Sequence, residues 1–376
     1  MNILAMEPYY GGSHRAFLDD WIAESRHSWT LLTLPANKWK WRMRHSAVTL
    51  ADRARDKFGT GKRWDLLFCS DMLNLAEFIG LAPPEVRSLP SVAYFHENQL
   101  TYPVQHEKEY DYHFAFSNMN TALAAQAVWF NSEFHRDSFL TALDAFLRRM
   151  PDHQPLHAVE AIHAKSSIIP PGIAALPQPG ERRASAASPH PLHILWAARW
   201  EHDKDPDTFF CAIDQLASTG VDFQLSVIGG GNARDVLPVF EEARHGHADR
   251  IRHWGYLETR EAYLQALSEA DVAVSTAQHE FFGISIVEAI AAGAYPLVPD
   301  RLAYPEVIGS IAGDNAVQYI YDGSEKALAA RLTDLATRVT EAGTLWTGPS
   351  LAEAARTRYA WPTLAPAYDA ALAALP

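Results

Sequence analysis

Cysteine is scarce in this chain of 376 residues: there are two, Cys69 and Cys211, far apart and each within an apolar segment. This number excludes the disulfide framework of small secreted domains, and there is no Cys-x-x-Cys pair for zinc binding or disulfide exchange. Because an unpaired cysteine behaves as a small hydrophobic residue, we expect both thiols to be free and buried. Such cysteine usage is typical of a cytosolic protein.

A long hydrophobic run is also missing, since no stretch approaches the roughly 20 apolar residues that cross a bilayer. The first ten residues, MNILAMEPYY, lack a basic start and a cleavage site. They therefore predict a β-strand rather than a signal peptide. We expect a cytoplasmic protein with no membrane partner.

The chain has no excess of positive charge; its formal net charge is -13. This balance excludes a general nucleic-acid coat, because phosphate neutralisation dominates such binding. One local segment differs, KWKWRMRHS at residues 38–46. In it, basic residues alternate with tryptophans: Lys38, Trp39, Lys40, Trp41, Arg42 and Arg44. The segment is either a nucleic-acid contact or an amphipathic surface stretch whose tryptophans pack inward.

Short apolar runs alternate with helical stretches in both halves of the chain. In the first half the runs are 2–7, 30–34, 65–70, 91–97, 127–132 and 166–171. A segment rich in Pro, Ala and Ser follows at 175–191 and predicts a linker. The second half continues with runs at 192–198, 223–229, 251–257, 271–277, 295–299 and 316–320.

Most of these runs are continuously apolar rather than alternating, as in strands of a parallel sheet covered on both faces. The pattern predicts an α/β protein with two Rossmann-like, doubly wound domains joined by a hinge. Ligands of such sheets bind at the carboxyl ends of the strands, so we expect a site in a cleft between the domains.

The stretch HEFFGISIVE, residues 279–288, combines an anion site with two acids. A helix is predicted to begin near Gly283, where the unpaired amides of Ile284 and Ser285 favour a phosphate. Glu280 precedes this helix and Glu288 lies within it, and carboxylates accept hydrogen bonds from paired sugar hydroxyls. A nucleotide sugar satisfies both features. The alternative is a surface helix with two solvated glutamates.

Three further sites follow predicted strands. Arg199 and Lys204 lie in AARWEHDKDP, where two cations would neutralise a diphosphate, although a solvated loop explains them as well. Gly11 and Gly12 follow the first strand. They either let the backbone approach a ligand closely or form a simple tight turn. His96 ends another strand and is either catalytic or structural.

Metal and hydrolase motifs are absent. HEFFG and HENQL begin like a zinc-binding helix motif, but Gly283 and Leu100 stand where the second histidine belongs. There is neither a Walker glycine–lysine loop nor a Gly-x-Ser-x-Gly elbow. The glycine-rich GGGNARD, 229–235, lacks the dinucleotide-binding spacing, and we interpret it as a loop near the nucleotide.

Together, HEFFGISIVEAIAAGAYPLV and RWEHDK resemble the retaining glycosyltransferases of the GT-B fold, in their large fourth sequence family. The glutamate, seven residues, glutamate motif of that family is matched by Glu280 and Glu288. YYGGSH, LPANKWKWRMRHSA, YFHENQLTYPV, RWEHDKDP and HEFFG together resemble, more narrowly, the tRNA-queuosine α-mannosyltransferases. This similarity extends over nearly the whole chain.

The resemblance implies transfer of mannose from GDP-mannose to queuosine in a tRNA anticodon loop of the aspartate-tRNA type, with retained stereochemistry. It implies a GT-B fold with an acceptor-binding domain at 1–180, a nucleotide-sugar-binding domain at 190–355 and a closing helix at 356–376. No cofactor is expected to stay bound, the reaction is expected to need no metal, and no protein partner is implied.

The resemblance also gives the site residues roles. Glu280 would hold the donor sugar and Glu288 the ribose, while Arg199, Lys204 and the amides of Phe282, Gly283 and Ile284 hold the diphosphate. Gly11, Gly12 and His96 would line the first-domain side of the reacting centre. On the acceptor side, Lys38, Lys40, Arg42 and Arg44 would hold phosphates, Trp39 or Trp41 would stack on a base, and Asn98 and Gln99 would contact the tRNA.

Two other functions remain open from the residues. One is a related glycosyltransferase that uses another nucleotide sugar or a non-RNA acceptor. The other is a non-catalytic protein that binds a nucleotide sugar or RNA. Residue types alone do not decide the donor base.

Overall fold

The computed structural model describes residues 1–103, 111–174, 176, 190–230, 237–346 and 348–375. The predicted linker at 175–191 and the glycine-rich segment at 229–235 lie largely outside these ranges. The chain divides into two compact units. The first comprises Met1–Ala174 and Trp361–Pro376, and the second comprises Ala175–Ala360.

The first unit contains a six-stranded parallel sheet in the order β2-β1-β3-β4-β5-β6. Its strands are β1 (Asn2–Tyr10), β2 (Ser28–Pro35), β3 (Leu66–Ser70), β4 (Ser91–Phe95), β5 (Ala127–Phe130) and β6 (Ser166–Ile168). The helices between them are α1 (Gly12–Glu24), α2 (Trp39–Gly59), α3 (Leu75–Leu81), α4 (Pro84–Arg87), α5 (Tyr112–Ala124), α6 (Glu133–Leu147) and α7 (His157–His163).

The second unit repeats this architecture with the strand order β12-β11-β10-β7-β8-β9, again parallel. Its strands are β7 (Leu192–Ala197), β8 (Phe223–Ile228), β9 (Ile251–Gly255), β10 (Val272–Val274), β11 (Tyr295–Pro299) and β12 (Ile320–Tyr321). Its α-helices are α8 (Pro206–Ser218), α9 (Pro238–Gly246), α10 (Arg260–Glu269), α11 (Ile284–Ala291), α12 (Tyr304–Ala312), α13 (Glu325–Ala342) and α14 (Ala352–Tyr359). The short 3-10 helices are His202–Lys204, Ala248–Arg250 and Gly313–Tyr319.

The two parallel sheets confirm the predicted doubly wound α/β class. All residues of β3 and β4 are buried, as strands covered on both faces require. The last helix, α15 (Trp361–Ala373), packs into the first unit, where Trp361 and Tyr368 join an aromatic cluster with Phe17 and Trp21. Its buried Asp369 accepts hydrogen bonds from the Trp21 indole, the Ser25 hydroxyl and the Arg26 amide.

Two local predictions are wrong. The run at 316–320 lies mostly in the 3-10 helix Gly313–Tyr319, and the edge strand β12 pairs only through Ile320 and Tyr321. Pro299 on the neighbouring strand has no amide hydrogen with which to extend the ladder. Cys69 is buried as expected, but Cys211 is exposed. It lies on the solvent side of α8, next to buried Phe210 and Ala212, because a helix turns about 100° at each residue.

Within the described ranges, none of the helices is both long enough and apolar enough to cross a membrane.

Candidate active site

The anion site predicted at Gly283 has the required backbone. Helix α11 begins directly after this glycine, which adopts a positive φ of 84°. A Cβ there would lie 2.7 Å from Cε1 of Tyr304, so both the backbone conformation and the available space favour glycine. The amide groups of the first helical turn carry the partial positive charge of the helix start, which suits a phosphate.

Lys204 and Glu280 lie together beside this helix start. The Lys204 ammonium is 3.5 Å from Glu280 Oε2 and 3.2 Å from Asp203 Oδ2, and it donates to the His279 carbonyl at 2.6 Å. The Lys204 side chain is buried, whereas about a quarter of the Glu280 side chain, 27%, is exposed. The structure therefore fixes the cation and leaves part of the Glu280 side chain accessible.

The directions in which the pKa of Lys204 and the pKa of Glu280 shift favour the charged form of both groups. Burial alone would lower the pKa of Lys204, but the carboxylates of Glu280 and Asp203 raise it above its usual value. Burial alone would raise the pKa of Glu280, but the Lys204 charge and backbone N–H groups lower it. Each charge thus stabilises the other.

The Glu280 carboxylate also accepts hydrogen bonds from backbone N–H groups that precede the helix. Its Oε1 accepts from the N–H of Phe281 at 3.1 Å and from that of Phe282 at 3.5 Å. The resemblance implies that the Phe282 backbone N–H binds the diphosphate. In this structure it donates to the Glu280 carboxylate instead. Glu280 is held from both sides, by the ammonium and by the backbone.

A pocket is lined by Lys204, Glu280 and Ser285 together with Ser275, Tyr304 and Trp196. The hydroxyls of Ser275 and Tyr304 are 2.6 Å apart. Neither residue was predicted from the sequence, because neither belongs to a recognisable motif. Ser275 follows β10, which pairs with the β7 strand that precedes Lys204, and Tyr304 begins helix α12 after β11.

Arg199 lies on the loop after β7, with half of its side chain exposed and its guanidinium 3.2 Å from Glu201. Arg199 and Lys204 both follow β7 in the chain, and the Arg199 charge partly opposes the carboxylates that raise the pKa of Lys204. Burial is the main cause that holds the pKa of His279 at about 4, so this imidazole is neutral. The structure thus brings both predicted cations to one end of the sheet.

Glu288 is buried and already paired. Its Oε1 accepts from Arg260 at 2.7 Å, and its Oε2 accepts from the Tyr263 hydroxyl at 2.7 Å. Sequence reasoning missed both partners, which belong to helix α10, more than twenty residues away. The carboxylate is therefore held rigidly, and only the second acceptor position of each oxygen is left for a ligand hydroxyl.

In the first unit, Gly11 separates β1 from α1, Gly12 begins α1, and His14 occupies the first turn of that helix. Gly12 has a positive φ of 53°, and a Cβ at Gly11 would lie 2.5 Å from Cβ of Ala36. His14 contacts Glu7 and the ring of His96. The predicted residues Gly11, Gly12 and His96 thus lie at the same edge of the sheet as His14, which the sequence did not indicate.

Asn98 and Gln99 are buried. The Asn98 side-chain oxygen accepts hydrogen bonds from the backbone N–H groups of Leu100 and Thr101. The backbone N–H of Gln99 donates to the side-chain oxygen of Asn118. Asn98 therefore stabilises the loop after β4, a role that the sequence did not reveal.

The basic segment forms the start of helix α2, and its two tryptophans have different surroundings. Trp39 packs against Phe114, with ring centroids 5.1 Å apart, whereas Trp41 is 57% exposed and stacks on His45 at 4.9 Å. Lys38 adopts the left-handed conformation before the helix, and Lys40 lies over the Trp39 ring.

The two arginines of this segment have protein partners. Arg42 donates to the Pro35 carbonyl and to Asn37, and Arg44 pairs with Asp111 and lies over Phe114. Each guanidinium has five N–H groups, so these contacts leave donors for phosphate.

Glu7, His14 and His96 place one donor atom each within 4.8 Å of one another, a spacing that a divalent cation could occupy. Two of these side chains, Glu7 and His14, already contact each other, so a buried ion pair accounts for the cluster equally well. The predicted independence of metal stays a prediction.

The family model described as tRNA-queuosine alpha-mannosyltransferase N-terminal matches residues 2–173, and the model for glycosyl transferases group 1 matches residues 178–338. A tRNA-queuosine alpha-mannosyltransferase of Drosophila melanogaster is 37% identical over 314 residues, which cover 81% of each chain. The chain belongs to the tRNA-queuosine alpha-mannosyltransferase family. It is therefore a glycosyltransferase, as the resemblance implied.

Other similarities are narrower. A GDP-mannose-dependent alpha-(1-6)-phosphatidylinositol dimannoside mannosyltransferase of Mycobacterium tuberculosis is 29% identical over 127 residues, 34% of this chain and 32% of that protein. Among solved structures, a sucrose-phosphate synthase from Thermosynechococcus elongatus has a TM-score of 0.68 at 16% identity, covering 99% and 98% of the two chains. A glycosyltransferase from Rickettsia africae ESF-5 has a TM-score of 0.64 at 14% identity, covering 98% and 96%. These structures confirm the GT-B fold class.

Proposed function

We propose that the protein transfers mannose from GDP-mannose to queuosine in a tRNA anticodon loop of the aspartate-tRNA type, with retention of configuration. The match of residues 2–173 to the family's N-terminal model carries this proposal, because group 1 transferases act through a common second domain on many acceptors. A tRNA acceptor and the scarcity of cysteine also support a cytoplasmic location.

In this scheme, the diphosphate of the donor lies between the helix start at Gly283 and the cations Lys204 and Arg199. Glu280 accepts hydrogen bonds from mannose hydroxyls through its accessible edge, and Glu288 accepts them from the ribose. The bond between C1 of mannose and the β-phosphate oxygen breaks as C1 bonds to the queuosine oxygen. The proton of that hydroxyl leaves with the phosphate.

Donor binding needs no metal ion in this scheme. Lys204 and Arg199 supply two positive charges, and the first-turn amides supply the partial charge of the helix. Lys204 is fixed by three contacts before the donor arrives, so little reorganisation accompanies the reaction.

Replacing Glu288 by glutamine is expected to raise the KM for GDP-mannose about tenfold. Glutamine has nearly the same volume as glutamate, but its NH₂ group donates hydrogen bonds instead of accepting them. It therefore cannot accept hydrogen bonds from Arg260, Tyr263 and two ribose hydroxyls at once. Steady-state kinetics at saturating tRNA measures the change. Glu341→Gln on the exposed face of α13 is the matched control. A wild-type KM in Glu288→Gln would contradict the ribose role.

The exposed Trp41 is the residue of the basic segment that is best placed to stack on an unpaired base. Base–aromatic stacking contributes about 1–3 kcal/mol, so Trp41→Ala is expected to weaken tRNA binding about tenfold or more. Filter binding with queuosine-containing tRNA measures the effect. Val48→Ala, which also removes exposed apolar surface from α2, is the control. Charge reversal of Arg42 is less informative, because it also removes hydrogen bonds within the protein.

One assay tests the function itself. The protein is incubated with GDP-mannose and queuosine-containing tRNA, and nucleoside mass and GDP release are measured together. A gain of one hexose on queuosine, absent with tRNA that carries guanosine at that position, is the expected result. Turnover only with another nucleotide sugar or a non-RNA acceptor would favour the related transferase, and a lack of turnover with every donor would favour a binding protein.

A further inference from the structure

A buried pair of ionisable residues lies beside His96 in the first unit. Glu7 is on β1 and His14 is in the first turn of α1, and Nδ1 of His14 is 3.2 Å from Oε2 of Glu7. Both side chains are almost fully buried. The His14 ring lies against that of His96, with centroids 4.2 Å apart and an interplanar angle of 39°.

His96 is held by packing and by its backbone. Phe17 and Tyr94 contact its ring at centroid distances of 4.8 and 4.7 Å, its amide donates to Asp71 Oδ1, and its carbonyl accepts from Asn131. The described part of the chain places no hydrogen-bond partner on its ring nitrogens. The imidazole is thus fixed in orientation while its nitrogens remain available to a ligand.

The surrounding charges give the two histidines different protonation states. Burial alone would lower the pKa of His14, but Glu7, with smaller contributions from Asp71 and Glu97, raises it to about 9. Burial, and then the charges of His14 and His135, holds the pKa of His96 well below its usual value. Near neutral pH an imidazolium therefore lies against a neutral imidazole.

We propose that Glu7 and His14 are positioning residues that orient His96, so that a ring nitrogen of His96 accepts a hydrogen bond from a hydroxyl of the substrate. The proposal rests on the proposed function. Glu7 holds His14, and His14 in turn fills one face of the His96 ring, which leaves one edge for the hydroxyl. Without the pair, the His96 ring would lose a packing partner and gain freedom to rotate.

A protonated His14 would distinguish this arrangement from a metal site. An imidazolium has no lone pair on either ring nitrogen and cannot bind a cation. A zinc ion in the same place would instead require a neutral His14. The metal content of the purified protein is therefore part of the test.

The kinetic experiment uses the full chain with His14→Gln and Glu7→Gln, and His163→Gln on the exposed end of α7 as control. We expect His14→Gln to lower kcat at least about tenfold, with a smaller change in the KM for GDP-mannose.

A second measurement does not depend on turnover. NMR spectra of isotope-labelled histidine follow the ring nitrogens of His14 and His96 in the folded protein. We expect His14 to titrate near 9 in the wild type and lower in Glu7→Gln, and we expect the His96 signal to shift or broaden in His14→Gln. Circular dichroism shows that each variant is folded.

An unchanged His96 signal in folded His14→Gln would overturn the proposal, as would a wild-type kcat in that variant. Stoichiometric zinc that is lost with His14→Gln would overturn it as well. Failure of the wild type to transfer mannose would instead overturn the proposed function. The NMR result on His96 would then still decide whether His14 orients the ring.

Discussion

Replacing Lys204 by alanine is expected to lower kcat/KM for mannosyl transfer by about 10²- to 10³-fold. The ammonium contacts Glu280, Asp203 and the His279 carbonyl, so it is held rigidly where the diphosphate is expected to bind. Removing it deletes a fixed charge at the leaving group and also frees the carboxylate that holds the sugar. GDP release measured with saturating tRNA reports both losses.

The same change has a structural cost that must be separated from catalysis. Without Lys204, the carboxylates of Asp203 and Glu280 lose their partner, and Asp203 is buried. We therefore expect a lower melting temperature, and the kinetics are measured well below it. Lys57→Ala on the exposed end of α2 is the control. Transfer at the wild-type rate by folded Lys204→Ala would contradict the proposed diphosphate site.

The second large effect concerns stability. Asp369→Ala is expected to lower the free energy of unfolding by about 2–4 kcal/mol. The carboxylate satisfies the Trp21 indole, the Ser25 hydroxyl and the Arg26 amide, and an alanine leaves these donors without an acceptor. The loss should appear in the unfolding transition of the first unit, because α15 packs there.

Urea denaturation followed by tryptophan fluorescence measures this change, since Trp21 and Trp361 report on the same cluster. Thr363→Ala on the exposed side of α15 is expected to change the free energy by less than about 0.5 kcal/mol. If Asp369→Ala and the wild type unfold at the same urea concentration, water replaces the carboxylate with no loss of stability, and the prediction is wrong.

Local sequence patterns predicted most of the fold because the central strands are buried on both faces. Runs such as LLFCS and SVAYF are typical of central strands, and their number and spacing indicate two parallel sheets. The prediction failed at the sheet edge, where 316–320 forms mainly a 3-10 helix, and at Cys211, where a helix turns one residue toward solvent. At both places the outcome depends on a neighbour rather than on the local pattern.

The site was predictable where its residues are close in sequence or follow strands. Glu280, Gly283 and Glu288 lie within one loop and helix, and Arg199 and Lys204 lie on one loop. The partners of Glu288 and the contacts of His14 were not predictable, because they join different helices and strands of each unit. Likewise, only packing against Phe114 distinguishes Trp39 from the exposed Trp41.

By itself, the sequence determined the α/β class, the glycine at the helix start and the kinds of charge beside it, since these depend on local periodicity and residue chemistry. Only the tertiary structure decided which charges pair: Lys204 with Glu280, Glu288 with Arg260, and His14 with Glu7. The physical reason is that an ion pair depends on a few ångströms of separation. Chain segments far apart in sequence reach that separation only when the sheet and its helices are packed.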